Sequence, residues 1–271
     1  MKQHQSAYIH PDAQIGKNVH ISPFCYIDKD VIIGEGTWLG PNVTIFPGAR
    51  IGKDCKIFPG AVISGIPQDL KFAGEDSIAV IGDRTTIREY VTINRGTAYA
   101  QKTVVGNDCL LMAYVHVAHD CRLGDHVILA NNVNLAGHVK IEDWAILEGL
   151  VAVQQFTRVG AHSFVAGGSL VRKNVPPFVK AAREPLSYAG VNAIGLKRRS
   201  FSQESINHIQ DIYRILYVKG DNITKALELI EQEIPDSKEK NLIVDFIRTA
   251  ELGIIRGFQH INGKQVDEST T

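Results

Sequence analysis

The chain has 271 residues, and 29 Lys plus Arg balance 29 Asp plus Glu. That balance argues against a general nucleic-acid binder, which is normally basic. No run of about 18 apolar residues is present, so no membrane span is expected, and the opening MKQHQSAYIHPDA lacks the apolar core of a secretory signal, which points to the cytoplasm.

From Ile9 onward a branched aliphatic residue recurs every sixth position: Ile15, Ile21, Ile27, Ile33, Leu39, Ile45, Ile51, Ile57, Ile63. The phase returns at Ile81, Ile87 and Ile93, and again from Val105 through Leu111, Val117, Leu123, Leu129, Leu135, Ile141, Leu147, Val153, Val159 and Val165 to Val171. Four residues after each aliphatic stands a small residue, and glycine often follows it directly. This is the hexapeptide signature of a parallel β-helix, in which three hexapeptides close one triangular coil of about 18 residues. Cys25, Cys55, Cys109 and Cys121 all fall on the small inward position. They are expected to be buried, reduced thiols that act as small hydrophobes, with no CxxC pairing to suggest zinc.

Two stretches lack the core pattern, SGIPQDLKFAGEDS (64–77) and NRGTAYAQKT (94–103). Both are expected to be loops leaving the prism, and loops on a rigid scaffold often carry function. The loop carrying Lys71 is long enough to reach a neighbouring subunit. The period ends after Val171, and Pro176 and Pro177 turn the chain out. The expected organisation is a mainly β domain over 1–175 and a C-terminal linker and α-helical domain over 176–271. Ser202 is the expected N-cap of a helix that Gly220 ends. Two more helices flank Pro235, and the tail GKQVDESTT is expected to be disordered.

The segment AYVHVAHDCRLGDH (113–126) crowds histidines and aspartates into the repeat. His119 lies two residues past an inward aliphatic, so it points outward. One coil on stands Gly137 beside His138, and one further Gln155; His116 lies three residues before His119. A histidine next to an exposed backbone N–H is a minimal kit for acyl transfer: the imidazole takes a proton from a hydroxyl and the N–H stabilises the oxyanion. Asp120 is placed to hold the imidazole tautomer. His126 and His162 read as surface or subunit-interface residues. No serine or cysteine suits a nucleophile, so direct attack by an acceptor hydroxyl is the simpler route. Asn131, Gly149 and Gly167 form another outward column, a groove along which a fatty chain could lie.

The motifs PQDLKF, IGDRTTIREYVTINRGT, HVAHDC, ILANNVNLAGHV, QQF and GVNAIGLKRRSFS together resemble the UDP-N-acetylglucosamine O-acyltransferase family, which performs the first step of lipid A synthesis. The resemblance spans nearly the whole chain. It implies a left-handed parallel β-helix of hexapeptide repeats with a C-terminal α-helical domain, a homotrimer with inter-subunit sites, and transfer of a 3-hydroxyacyl group from acyl carrier protein to the 3-hydroxyl of UDP-N-acetylglucosamine with no cofactor or metal. It implies a catalytic set of His119, Asp120 and Gly137. It also implies substrate contacts from Gln68, Asp69, Lys71, His116, His138 and Gln155, a nucleotide-phosphate end at Asn192, Arg198 and Arg199, and an acyl-length floor at Gly167. Asn94, Gln154 and Ile194 depart from the residues common in that family. Three other readings stay open: the N-acyltransferase of the same pathway, a zinc enzyme of carbonic-anhydrase type using His116, His119 and His138 as ligands, and a structural β-helix subunit without catalysis. Arg172, Lys173 and Lys180 form a basic patch suited to an acidic carrier protein.

Overall fold

The computed structural model describes residues 2–219 and 222–257. Short parallel strands build three sheets of 12, 9 and 8 strands, each strand pairing with those one coil away. His116 pairs with Asn134, which pairs with Ala152, each a step of 18 residues. The three sheets are the faces of a left-handed triangular prism, and a helical region follows it. The aliphatic position of each hexapeptide points inward and is buried, as are the small residues beside it. Each such Ile, Leu or Val contributes about 1.5–3 kcal/mol by leaving water. The four cysteines lie in this core as free thiols. Burial pushes the thiols of Cys109 and Cys121 up to about 11 and about 12, so they are inert.

The three edges need a backbone feature that the aliphatic period does not announce. The third residue after most of these aliphatics sits in the left-handed region, for example Asn18, Phe24, Asp30, Asn42, Tyr90, Asp120, His138, Trp144, Phe156 and His162. For residues other than glycine this costs of order 1 kcal/mol or more each. Stacking offsets it, because the same corner of the next coil is about 4.8 Å away. Tyr90 stacks on Tyr114 at 5.2 Å, His126 on Trp144 at 3.9 Å and His138 on Phe156 at 4.4 Å.

Both excursions leave from one edge, the one following the nine-stranded sheet. Their ends are more regular than the sequence suggests. Val62–Gly65 continues as a strand into the start of the first excursion, and Lys102–Val105 begins before the second has finished. Ser64, Ser77, Asn94 and Thr103, all expected in loops, are buried. The 12-stranded sheet also runs past residue 175. Val179–Ala182 pairs with Phe164–Val165, Ser187–Val191 turns back antiparallel, and Arg256–Gly257 joins it.

The helices are α1 (Ala193–Arg198), α2 (Gln203–Arg214), α3 (Ile223–Glu233) and α4 (Lys238–Arg248). Ser202 caps α2 by accepting from the Ser205 N–H. Instead of stopping cleanly, α2 widens into a π-turn over Ile215–Lys219. The expected stop at Gly220 and the tail GKQVDESTT lie outside the described residues. Arg158 ties prism to helices, bonding Thr249 at 2.9 Å with its guanidinium carbon 4.3 Å from the Phe246 ring centroid.

Candidate active site

His119, Gly137 and Gln155 stand on successive coils of the edge from which both excursions leave, with the corner residues Asp120, His138 and Phe156 beside them. The imidazole of His119 bonds Asp120 through Nδ1, 2.8 Å from Oδ2. The Asp120 carboxylate is fully buried. Its Oδ1 accepts the main-chain N–H groups of Thr97 at 3.0 Å and Ala100 at 3.2 Å, and its Oδ2 accepts the Thr97 hydroxyl at 2.6 Å. Burial alone would raise the pKa of Asp120. The bonds from Thr97 and His119 outweigh it and hold the carboxyl below its ordinary value. A carboxylate facing Nδ1 fixes the proton there, which leaves Nε2 as the free acceptor of His119.

Gly137 supplies the other half. The N–H of the residue two past each aliphatic faces outward. On the edge following the eight-stranded sheet, side chains take those amides in a ladder: Asp83 donates to Asn107, Asn107 to Asp125 and Asp125 to Asp143. No such ladder runs up the histidine edge, and the Gly137 N–H has no hydrogen-bond partner among the described residues. Glycine is required at 137 for space, since an added Cβ would lie 2.6 Å from Cε1 of His119.

His116 faces outward on its strand and bonds the Thr92 hydroxyl through Nδ1 at 2.7 Å. Burial, with the neighbouring His119, lowers its pKa. His138 is boxed by rings: Phe156 stacks on it, Tyr99 of the second excursion meets it edge-on at 4.5 Å and His119 at 5.0 Å. Burial lowers its pKa too; Asp120 and Asp69 push the other way. The first excursion, which carries Asp69, leaves from this same edge. Gln68, Lys71 and Gln155 are exposed there. Glu75 joins the two excursions, accepting the Ala73 N–H on one and the Ala98 N–H on the other. Asn94 does the same, its side chain bonding the Ile66 carbonyl at 3.1 Å.

The proposed zinc set is corrected. The donor atoms that converge within 4.8 Å belong to His119, Asp120 and His138, and His116 is not among them. Among the described residues of one chain the three imidazoles of His116, His119 and His138 do not converge as a ligand set.

Asn192, Arg198 and Arg199 lie at a different edge. Asn192 caps α1, accepting from Gly195, and donates to the His162 carbonyl at 2.9 Å. Arg199 packs over Trp144 and bonds its carbonyl, while its Nη1 is buried without a partner. Arg198 is exposed. His126, Trp144, His162 and Phe178 stack along this edge. Gly167 belongs to the third edge; its N–H bonds Glu148 at 3.2 Å, and the left-handed glycine of that corner is Gly168. A concavity of about 810 Å³ opens beneath the excursions, between Arg50, Glu75, Arg95 and Lys102, and does not include His119.

Sequence reasoning missed Thr92, Thr97, Tyr99 and Phe156. Thr97 was within reach of arithmetic: Ile93 pairs with Val117, a step of 24 residues, so the second excursion passes directly under Asp120.

Residues 174–255 match the family model for UDP N-acetylglucosamine O-acyltransferase, domain 2. Residues 102–137 match the bacterial transferase hexapeptide model, and 2–107 the GMPPB C-terminal domain. An acyl-[acyl-carrier-protein]–UDP-N-acetylglucosamine O-acyltransferase of Myxococcus xanthus is 45% identical over 254 residues, covering 93% of this chain and 98% of that protein. One from Stenotrophomonas maltophilia is 42% identical over 196 residues, 72% of this chain and 74% of that protein. Among solved structures, a UDP-N-acetylglucosamine acyltransferase from Bacteroides fragilis superposes with a TM-score of 0.92 at 52% identity, covering 93% of this chain and 99% of that one. The enzyme from Francisella novicida gives 0.91 at 43%, covering 94% of each. Shared hexapeptides alone would leave the helical region unmatched; here the likeness runs through prism, excursions and helices alike, and the chain belongs to the UDP-N-acetylglucosamine O-acyltransferase family.

Proposed function

We propose that this protein transfers a 3-hydroxyacyl group from acyl carrier protein to the 3-hydroxyl of UDP-N-acetylglucosamine, the first step of lipid A biosynthesis. The observation that carries the mechanism is the His119–Asp120 bond standing beside the unpartnered Gly137 N–H. Nε2 of His119 takes the proton of the sugar hydroxyl as its oxygen attacks the thioester carbonyl. The oxyanion of the tetrahedral intermediate is received by the Gly137 N–H. Collapse breaks the C–S bond, and the imidazolium returns its proton to the departing thiolate of the carrier. Asp120 stabilises the imidazolium between the two transfers. The thioester already carries an activated acyl group, so the step needs no cofactor and no metal.

Gln68, Asp69, Lys71, His116, His138 and Gln155 border that edge and are suited to the sugar and acyl head. Arg198 and Arg199 are suited to the diphosphate by bidentate pairing, and Asn192 serves them by fixing the start of α1. These two groups stand at different edges of one triangular prism. A single pocket holding both therefore needs two copies of the chain, and a homotrimer with parallel prisms supplies three such clefts. A cytoplasmic location is part of this reading; among the described residues no helix is long and apolar enough to cross a membrane.

The test is a direct assay. Purified protein, UDP-N-acetylglucosamine and a panel of 3-hydroxyacyl carrier proteins should give an O-acylated sugar nucleotide by mass spectrometry. His119→Ala should lower the rate by about 10²–10⁴-fold with the fold intact. No product from any donor, or a His119→Ala variant within threefold of wild type, would overturn the reading.

A further inference from the structure

The second excursion does more than interrupt the repeat. Thr97 gives Asp120 two of its four donors, the N–H to Oδ1 and the hydroxyl to Oδ2. The hydroxyl proton has one available direction, because the Tyr99 N–H donates into Thr97 Oγ1 at 3.3 Å. Ala100 adds a third donor, and the far end of the excursion closes the wrap: the Asp120 N–H donates to the Thr103 hydroxyl at 2.9 Å. Asp120 itself stands in the left-handed region, φ 59°, a conformation that local contacts must hold.

The geometry points to Thr97 as a positioning residue of the His119–Asp120 pair, with the second excursion as the device that carries it. This rests on the acyl-transfer reading above. The physical argument has two parts. A buried carboxylate with one imidazole partner could rotate about its last bond or take up a proton; two donors from one residue on its two oxygens prevent the rotation. The same donors favour the ionised form, which keeps the proton on Nδ1 of His119 and Nε2 open. The excursion is braced in turn by Glu75, Asn94 and the Ser77 hydroxyl, which bonds the Gly96 carbonyl at 2.6 Å.

The charged and titratable groups that face the pair are His116, His138, Glu75 and, through His138, Asp69. Cys121, buried behind Asp120, and Tyr99, whose ring meets His138, complete the set; a change at 97 substitutes none of these groups. The Thr97 hydroxyl is the largest single influence lowering the Asp120 pKa. Removing it raises that pKa, and activity is then lost at higher pH as the medium is acidified.

The experiment compares Thr97→Val, Thr97→Ala and Thr97→Ser with wild type, each checked for fold by circular dichroism and gel filtration. Thr97→Val should lower kcat roughly tenfold to a hundredfold, as expected for a lost hydrogen bond to a charged group. KM for both substrates should stay within about twofold, and the acid limb of kcat/KM should move to higher pH. Thr97→Ala carries the same expectation should valine not fold. Thr97→Ser should restore kcat and the wild-type acid limb. A valine variant with wild-type kcat and acid limb, or a serine variant as impaired as valine, overturns the proposal, since packing of the methyl group would then be the role of Thr97. Carbon-13 NMR titration of the Asp120 carboxyl keeps the two readings apart. It should shift to higher pH in Thr97→Val even if wild type proves inactive on these substrates, and an unchanged titration counts against Thr97 whatever the activity.

Discussion

Gly137 and His119 pack against each other across one coil so closely that a Cβ on the glycine would stand 2.6 Å from Cε1 and 2.7 Å from Nε2 of the imidazole. The glycine thus serves two ends: its N–H is open to an oxyanion, and its missing side chain seats the base. Its φ is not in the left-handed region, so alanine there is not strained in the backbone. Gly137→Ala should therefore leave the melting temperature within a few degrees of wild type while tilting the ring. Displacement of a base by about 1 Å can cost on the order of 10²-fold, and kcat should fall by that order. Steady-state kinetics and a melting curve check both halves; wild-type kcat would mean that His119 has room the geometry denies it.

The edge that carries Arg199 gives a pH-dependent stability. Burial, and after it the nearby Arg199 charge, lowers the pKa of His162 from 6.5 to about 4. The folded chain therefore refuses a proton that the unfolded chain accepts. The sign follows: the contribution is fully present above about pH 6.5 and is lost as pH falls toward about 4, by which point the loss amounts to about 3 kcal/mol. His162→Phe keeps the stack on Phe178 and Trp144 and removes the titration. The drop in unfolding free energy between about pH 7.5 and about pH 4.5 should be smaller in the variant. An equal drop in both proteins would show that His162 titrates freely in the fold.

Shared clefts can be tested by subunit mixing. His119 and Arg199 sit at different edges of one chain, so His119→Ala and Arg199→Ala damage opposite walls of a cleft between copies. In any mixed trimer, one junction of the three unites a wild-type His119 with a wild-type Arg199. Random assembly at equal amounts makes about three quarters of trimers mixed and should restore about a quarter of wild-type activity. Co-expression with two affinity tags isolates the mixed species. No recovery in proven mixed trimers would place each site inside one chain.

The prism was legible because its rule is strictly periodic and apolar: Ile21, Ile27 and Ile33 announce three faces whatever lies outside them. The columns His119–Gly137–Gln155 and Asn131–Gly149–Gly167 follow by counting. The corners were not legible, because the left-handed position holds Asn18, Phe24, Tyr90, Leu150 and His162 alike, and its cost is met by stacking between coils. The clamp on Asp120 escaped notice for another reason. Thr97 lies where the period is broken, and only the register of Ile93 with Val117 brings it beneath the carboxylate. Strand Val179–Ala182 was hidden by Pro176 and Pro177, which turn the chain but do not keep it from rejoining the sheet.

Acyl length offers the last prediction. Gly149 and Gly167 stand one coil apart on the edge after the 12-stranded sheet, and neither has the positive φ that would make glycine obligatory; Gly168 holds that post with φ +72°. A Cβ at Gly167 would meet the Gly149 carbonyl at 3.2 Å, a contact that a shift of a few tenths of an ångström relieves. Gly167 is therefore not kept by its backbone, and its bareness leaves a groove along the prism, each coil adding about 4.8 Å of length. A chain lying there would pass Gly167 only if long, which favours a long-chain donor. Gly167→Met fills the groove from one side. It should shift preference toward shorter 3-hydroxyacyl donors while activity with a short donor survives, because the exclusion is steric and the histidine edge is untouched. Competition between long and short donor carrier proteins, read by mass spectrometry of the products, measures the ratio directly. Equal loss on both donors, or an unchanged ratio, would mean that Gly167 serves the coil and not the acyl chain.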